Sequence, residues 1–147
     1  MSVFDSIKLK GLDADGEEKE FLLADITGTI VLYFYPKDNT PGCTIEACNF
    51  RDSFNRLTDT ATVIGVSPDD IESHKKFKKD HSLNFILLSD PEHELAEKFG
   101  VWQEKSMYGK KYMGINRSTF IIKEGLIAQA WKDVKVDGHV DKVIESL

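Results

Sequence analysis

Residues 29–52 read TIVLYFYPKDNTPGCTIEACNFRD, and the change of pattern at Pro36 organises the chain around it. Residues 29–35 are a near-continuous β-branched and aromatic run, the pattern of a strand buried on both faces beneath helices. A loop with two prolines follows. Beyond it Ala47, Phe50, Phe54 and Leu57 recur at i, i+3, i+7 and i+10, one face of a helix. Cys43 stands four residues before Ala47 and so belongs to the same inward face, in the first turn. Cys48 lies about 140° further round, at ~100° per residue. The two thiols therefore point different ways, and they are the only cysteines in the chain.

Working outward from this unit, residues 61–66 form a second apolar run ending at Ser67-Pro68-Asp69-Asp70. Ser67 is expected to cap a helix there, with Pro68 at its first position and acids in its first turn, running to about Asp80. Residues 85–88 predict a short strand, and 91–99 a short helix closed by Gly100. Residues 118–122 and 126–131 predict a hairpin turned at Glu124-Gly125, and residues 138–147 a terminal helix. Asp15-Gly16 sits between residues 7–10 and 21–23 and predicts an N-terminal hairpin. Met107, Tyr108 and Tyr112 flank Gly109 in an expected loop near Trp102, with ordinary loop packing preferred over lining a pocket or contacting a partner. Strands alternating with helices indicate an α/β fold, a mixed central sheet flanked by helices, in one domain over residues 1–147.

A chain of 147 residues buries about 68–70% of its unfolded surface, enough to fold without staples. Its composition, 41% hydrophobic and 30% charged, is that of a water-soluble protein. The formal charge of −6 argues against nucleic acid or an anionic membrane as the main partner. The N-terminus has no apolar signal region, and no run approaches the ~20 apolar residues of a membrane helix. A cytoplasmic location is expected, where cysteine pairs are more often catalytic or metal-binding than structural. The cluster Lys75-Lys76-Phe77-Lys78-Lys79 is expected as a solvated helix face with Phe77 turned inward. Zinc needs four ligands, and two cysteines with His74, His81, His93 and His139 form no known spacing. The histidines are expected at the surface. C-x-x-C, the signature of thioredoxin-type oxidoreductases, is absent.

Core packing, metal ligation, a structural disulfide and a working redox pair are the readings open to the two thiols. A cysteine in the first turn of a helix meets unpaired backbone N–H groups and the positive dipole end. A thiol so placed is expected to exist largely as thiolate, the nucleophilic form. Pro41 and Gly42 allow a tight loop just before Cys43, and Thr40 offers a hydroxyl three residues upstream.

Pro36-x-x-x-Thr40-x-x-Cys43 matches the P-x-x-x-T-x-x-C signature of the peroxiredoxins, and the chain resembles that family. FYPKDNTPGCTIEAC at 34–48 and VWQEKSMYGKKYMGINRSTFIIKEG at 101–125 are similar to the bacterioferritin comigratory protein, or PrxQ, subgroup. The resemblance implies a thioredoxin-like fold and peroxide reduction by a thiol, with no metal or organic cofactor. It implies Cys43 as the peroxidatic cysteine and Cys48 as the resolving one. Thr40 would bond the thiolate and the peroxide, Pro36 would shield the pocket, and Arg117 would place its guanidinium near the sulfur. It further implies a peroxide substrate, a thioredoxin-like dithiol as reductant, and a monomer, with a dimer as the alternative. Glu46 falls in the T-x-E-A-C pattern, with roles in steering the loop or proton transfer set against that of a plain first-turn acid. One departure is clear: the A-P-x-F segment common near the family's N-terminus is replaced by Phe4-Asp5-Ser6-Ile7, without proline.

A function of another class, a redox sensor or holdase, would use the same disulfide without turnover. Either use meets a geometric obstacle. Residues i and i+5 of a helix have Cα atoms roughly 8–9 Å apart, whereas a disulfide needs less than about 7 Å. Oxidation is therefore expected to unwind the segment from Gly42 to Phe50, eased by β-branched Thr44 and Ile45.

Overall fold

The computed structural model describes residue 4 and residues 6–53 and 60–147. The elements in chain order are β1 (Lys8–Leu12), β2 (Glu18–Leu22), a short 3-10 turn, β3 (Ile30–Phe34), α1 (Pro41–Asp52), β4 (Thr62–Ser67), α2 (Ile71–His81), β5 (Ile86–Ser89), α3 (Glu94–Lys98), β6 (Trp102–Met107), β7 (Lys110–Ile115), β8 (Ser118–Lys123), β9 (Leu126–Trp131) and α4 (His139–Glu145). A seven-stranded sheet has the order β2-β1-β5-β4-β3-β8-β9, with β6 and β7 forming a separate pair. The β5-β4-β3 centre is parallel and the flanking pairs are antiparallel. The mixed sheet and N-terminal hairpin expected from the sequence are both present. No helix among the described residues is long and apolar enough to cross a membrane.

β3 is buried along its whole length because it feeds two cores. Ile30, Leu32 and Phe34 face one, with Phe99, Phe120 and Leu95. Val31, Tyr33 and Tyr35 face the other, where Cys43, Ala47 and Phe50 of α1 meet Phe77 of α2 and Val140 and Val143 of α4. The expected inward face of α1 is thus confirmed through Phe50; Phe54 and Leu57 lie outside the described residues. Full burial of a side chain such as Phe50 contributes about 1.5–3 kcal/mol. Tyr33 and Phe50 stack with ring centroids 4.6 Å apart, which seats α1 on the strand.

Several local expectations need correction. Ser67 does not cap α2. It pairs with Ser89 as the last residue of β4, and Asp70 is the cap, its carboxylate accepting the Ser73 N–H at 2.8 Å. α3 begins at Glu94 rather than Pro91, because His93 is left-handed at φ +60°. The Asp90 carboxylate, set back before the helix, accepts the N–H groups of Leu95 and Ala96. Residues 102–115 are not a loop but a hairpin, turned at Tyr108 and Gly109, both at positive φ. Tyr108 is 97% exposed, so it lacks even loop packing. Lys78 is buried, its ammonium donating to the Phe85 carbonyl at 2.6 Å; burial pushes its pKa down to about 8. His74 and His139 are buried, not superficial.

Gly65, in the middle of β4, lets the Tyr33 ring lie flat across the sheet. A Cβ there would stand 2.9 Å from the Tyr33 hydroxyl and ring. Gly65→Ala should therefore overpack the α1 side of the sheet and destabilise the fold by about 1–3 kcal/mol. Urea unfolding would measure this, and an unchanged midpoint would show that Tyr33 shifts freely.

Candidate active site

The antiparallel register of β3 and β8 pairs Phe34 with Ser118. The end of β3, which leads into α1, therefore lies beside the start of β8, which Arg117 precedes. Two segments more than 70 residues apart in sequence converge at one edge of the sheet.

α1 begins with Thr40 as N-cap, in extended conformation, and Pro41 at the first helical position. Proline there removes only an N–H that a helix start leaves unpaired. Cys43 is third in the helix, in its first turn as expected, and is 1% exposed. The Arg117 Nη2 donates to Cys43 Sγ at 3.1 Å and Nη1 donates to Glu46 Oε1 at 2.6 Å. Gly42 makes room for this approach, since a Cβ there would stand 3.3 Å from Nη2. A fixed cation and the helix N-terminus thus converge on one sulfur.

Glu46 is fully buried, and its Oε2 has no hydrogen-bond partner. Burial raises its pKa from an ordinary 4.5 to about 7, against the opposing pull of Arg117. Glu46 is the sixth residue of α1, beyond the first turn in which the sequence reading put it, and its carboxyl takes one arm of the guanidinium. Arg117 is itself largely buried. Burial works against its charge, and Glu46 and Cys43 more than restore it. A planar fork with one arm on a carboxylate and one on a sulfur holds both at set angles, which a lysine could not do.

Thr40 sits at the helix cap, and its hydroxyl donates to the Lys37 carbonyl at 2.9 Å rather than to the sulfur. The single hydroxyl proton is committed to that carbonyl, and the two lone pairs remain. Pro36 is half-buried at the start of the same loop. Cys48 is half-buried and, like Cys43, is a free thiol on an intact helix. The structure thus joins Cys43, Arg117 and Glu46 directly, places Thr40 and Pro36 on the adjoining loop, and keeps Cys48 apart. Reading the sequence missed Asp38 on that loop and His74 beneath it, which share a 2.6 Å contact in the interior.

The AhpC/TSA family pattern matches residues 3–130. Peroxiredoxin Bcp of Bacillus subtilis (strain 168) is 53% identical over 144 residues, covering 95% of this chain and 92% of that protein. Among solved structures, the bacterioferritin comigratory protein of Xanthomonas campestris, studied for its alkyl peroxide reduction activity, superposes with a TM-score of 0.84. It is 40% identical and covers 98% of this chain and 90% of its own. A cysteine-to-serine mutant of PrxQ from Xylella fastidiosa gives a TM-score of 0.87 at 38% identity, covering 98% and 88%.

The raised pKa of Glu46 has a definite consequence for stability. The folded protein holds this proton more tightly than the unfolded chain does, so the contribution of Glu46 to stability is greatest below pH 4.5. It falls as the pH rises through the window from 4.5 to about 7, by up to about 3 kcal/mol at ~1.36 kcal/mol per unit. Glu46→Gln, which cannot titrate, should lose that fall. Unfolding free energies at intervals from pH 4.5 to 8 would test it, and parallel curves for the two proteins would refute it.

Family pattern, sequence relatives and fold neighbours agree: the chain belongs to the AhpC/TSA family and, within it, to the peroxiredoxins of the Bcp kind, which are thiol-dependent peroxidases.

Proposed function

We propose that Cys43 is the peroxidatic cysteine and Cys48 the resolving cysteine of this peroxidase. The 3.1 Å contact between Arg117 and the Cys43 sulfur is the observation that carries the reading. Hydrogen peroxide and organic hydroperoxides are the substrates. The Cys43 thiolate attacks one peroxide oxygen, an S–O bond forms, and the O–O bond breaks. The departing oxygen leaves as alkoxide or hydroxide and takes a proton, giving alcohol or water. Negative charge grows on that oxygen in the transition state. The Arg117 guanidinium, the helix N-terminus and the Thr40 hydroxyl, once turned from Lys37, are the donors placed to stabilise it. Pro36 keeps bulk water from the loop.

Cys43 then carries a sulfenic acid. Cys48 attacks its sulfur, the S–S bond forms, the S–O bond breaks, and water leaves. A thioredoxin-like dithiol restores both thiols by exchange. No residue of this cycle calls for a metal or organic cofactor. The 147 residues act as one domain, with a cytoplasmic location and a monomeric state as the simplest reading.

Division of labour between the thiols is directly testable. Cys43→Ser should abolish peroxide consumption. Cys48→Ser should consume one equivalent and stop at the sulfenic acid, detected by mass spectrometry and dimedone trapping. Wild type with a recycling dithiol should consume peroxide in large excess over protein. Equal first-turnover rates in wild type and Cys43→Ser would overturn the assignment. Consumption that halts at one equivalent in wild type despite the dithiol would point to a redox switch instead.

A further inference from the structure

Beneath the loop that carries Pro36 and Thr40 lies a buried polar network that the chemistry above does not use. The His74 and Asp38 side chains are 0% and 1% exposed. His74 Nε2 is 2.9 Å from the Leu88 carbonyl. A carbonyl only accepts, so Nε2 carries a proton. His74 Nδ1 is 2.6 Å from Asp38 Oδ2. That same oxygen accepts the Ser73 hydroxyl at 2.8 Å, and Oδ1 accepts the Tyr35 hydroxyl at 2.6 Å. Both Asp38 oxygens thus accept hydroxyl hydrogen bonds, and Oδ2 faces Nδ1 as an acceptor, which makes Nδ1 the donor of the 2.6 Å contact. With Nε2 donating to Leu88, both ring nitrogens then carry hydrogen. The pair is held from a second side, since the Asp38 backbone N–H donates to Asp69 Oδ2 at 2.7 Å, and the Ser67 hydroxyl donates to that same oxygen.

We propose that Asp38 and His74 form a buried carboxylate–imidazolium pair, and that Asp38 is the positioning residue of the peroxidatic loop. This rests on the reading of Cys43 given above. Asp38 is bonded through its side chain to the first turn of α2 and through its backbone to Asp69, in the connection from β4 to α2. It lies two residues before Thr40 and five before Cys43. The pair therefore fixes the height and angle at which residues 36–40 enter α1, and so where the Cys43 sulfur meets Arg117. A second tether supports it: Asn39, left-handed at φ +58°, places its Oδ1 2.9 Å from His81 Nε2. The network is built from residues 35, 38, 67, 69, 73, 74 and 88. None belongs to the segment from 42 to 50 that must unwind for the disulfide. The loop is thus a fixed wall from which the helix can open and to which it can return.

The surroundings of His74 agree with this geometry. Burial disfavours its charge, but the Asp38 hydrogen bond and charge, the Leu88 carbonyl and the Asp69 charge outweigh it, and the ring's pKa lies above its ordinary 6.5. Asp38, Asp69 and His74 present ligand atoms within 4.8 Å of one another, a spacing that would suit a cation. Each of those atoms is already engaged by a hydrogen bond. The closeness is that of a hydrogen-bonded set.

Two measurements test the proposal. In ¹⁵N-histidine-labelled wild type at pH 7, assigned with His74→Gln, the His74 ring should show two protonated nitrogens. A ring with one proton overturns the pair, and this result does not depend on the peroxidase reading. In Asp38→Asn, single-turnover kinetics should show peroxide attack slowed tenfold or more. Conversion of sulfenic acid to disulfide should stay within twofold of wild type. Ile122→Val, in the core on the far side of the sheet, serves as a control for lost stability and should leave both steps unchanged. Equal slowing of both steps in Asp38→Asn, or no change in peroxide attack, overturns the positioning role.

Discussion

One guanidinium, shared between a sulfur and a buried carboxylate, is the constraint on which the rest of the structure depends. Arg117 is not carried by the helix that it serves. It comes from the turn before β8, and it reaches Cys43 only because the register of β3 against β8 puts Phe34 opposite Ser118. Slip that pairing by one residue and every side chain of β8 would change face. The two cores that fully bury β3 and most of β8 are what forbid the slip. Burial of β3 on both faces, the seat of Phe50 on Tyr33 and the absence of a side chain at Gly42 are all conditions for a contact of 3.1 Å.

Glu46 makes the contact costly as well as specific. Bringing a carboxyl into the core with one oxygen unpartnered is unfavourable, and Arg117 repays that cost only in part, as the raised Glu46 pKa records. Buried ion pairs of this kind are poor sources of stability and good sources of geometry. Here the geometry serves one state of α1. With the helix formed, the sulfur faces the guanidinium and Cys48 lies round the axis. In the proposed cycle the first turns come undone so that the thiols meet, and the pocket is lost. There the i, i+5 spacing separates the two tasks in time, and the proposed Asp38–His74 pair keeps the entry loop common to both.

Much of this was legible in the chain. The strand before Pro36 announced itself through unbroken apolar residues, because both its faces are buried. The helix after it showed its inward side through Cys43, Ala47 and Phe50. Other features were hidden for physical reasons. The β6–β7 hairpin buries little, so alternation gives no signal among its three lysines and other polar residues, and Tyr108 at its tip is almost fully exposed. Ser67 and Asp70 are both good caps, and only the pairing of Ser67 with Ser89 decides between them. His74 looks like any helix-surface histidine until Asp38, 36 residues away, is folded beneath it. Arg117 is a plain arginine at a strand start, and it stood out only through resemblance to the peroxiredoxins.

The central claim is that one segment must be helical to react and unwound to be resolved. Amide hydrogen exchange on the reduced protein and on the Cys43–Cys48 disulfide form, with the bond confirmed by the loss of two hydrogens in mass, addresses it most directly. The account predicts protected amides through residues 43–50 in the reduced form, where α1 is intact, and loss of that protection in the disulfide form. Protection in β3, β4 and β8 should be retained in both. Equal protection of residues 43–50 in the two forms would contradict it.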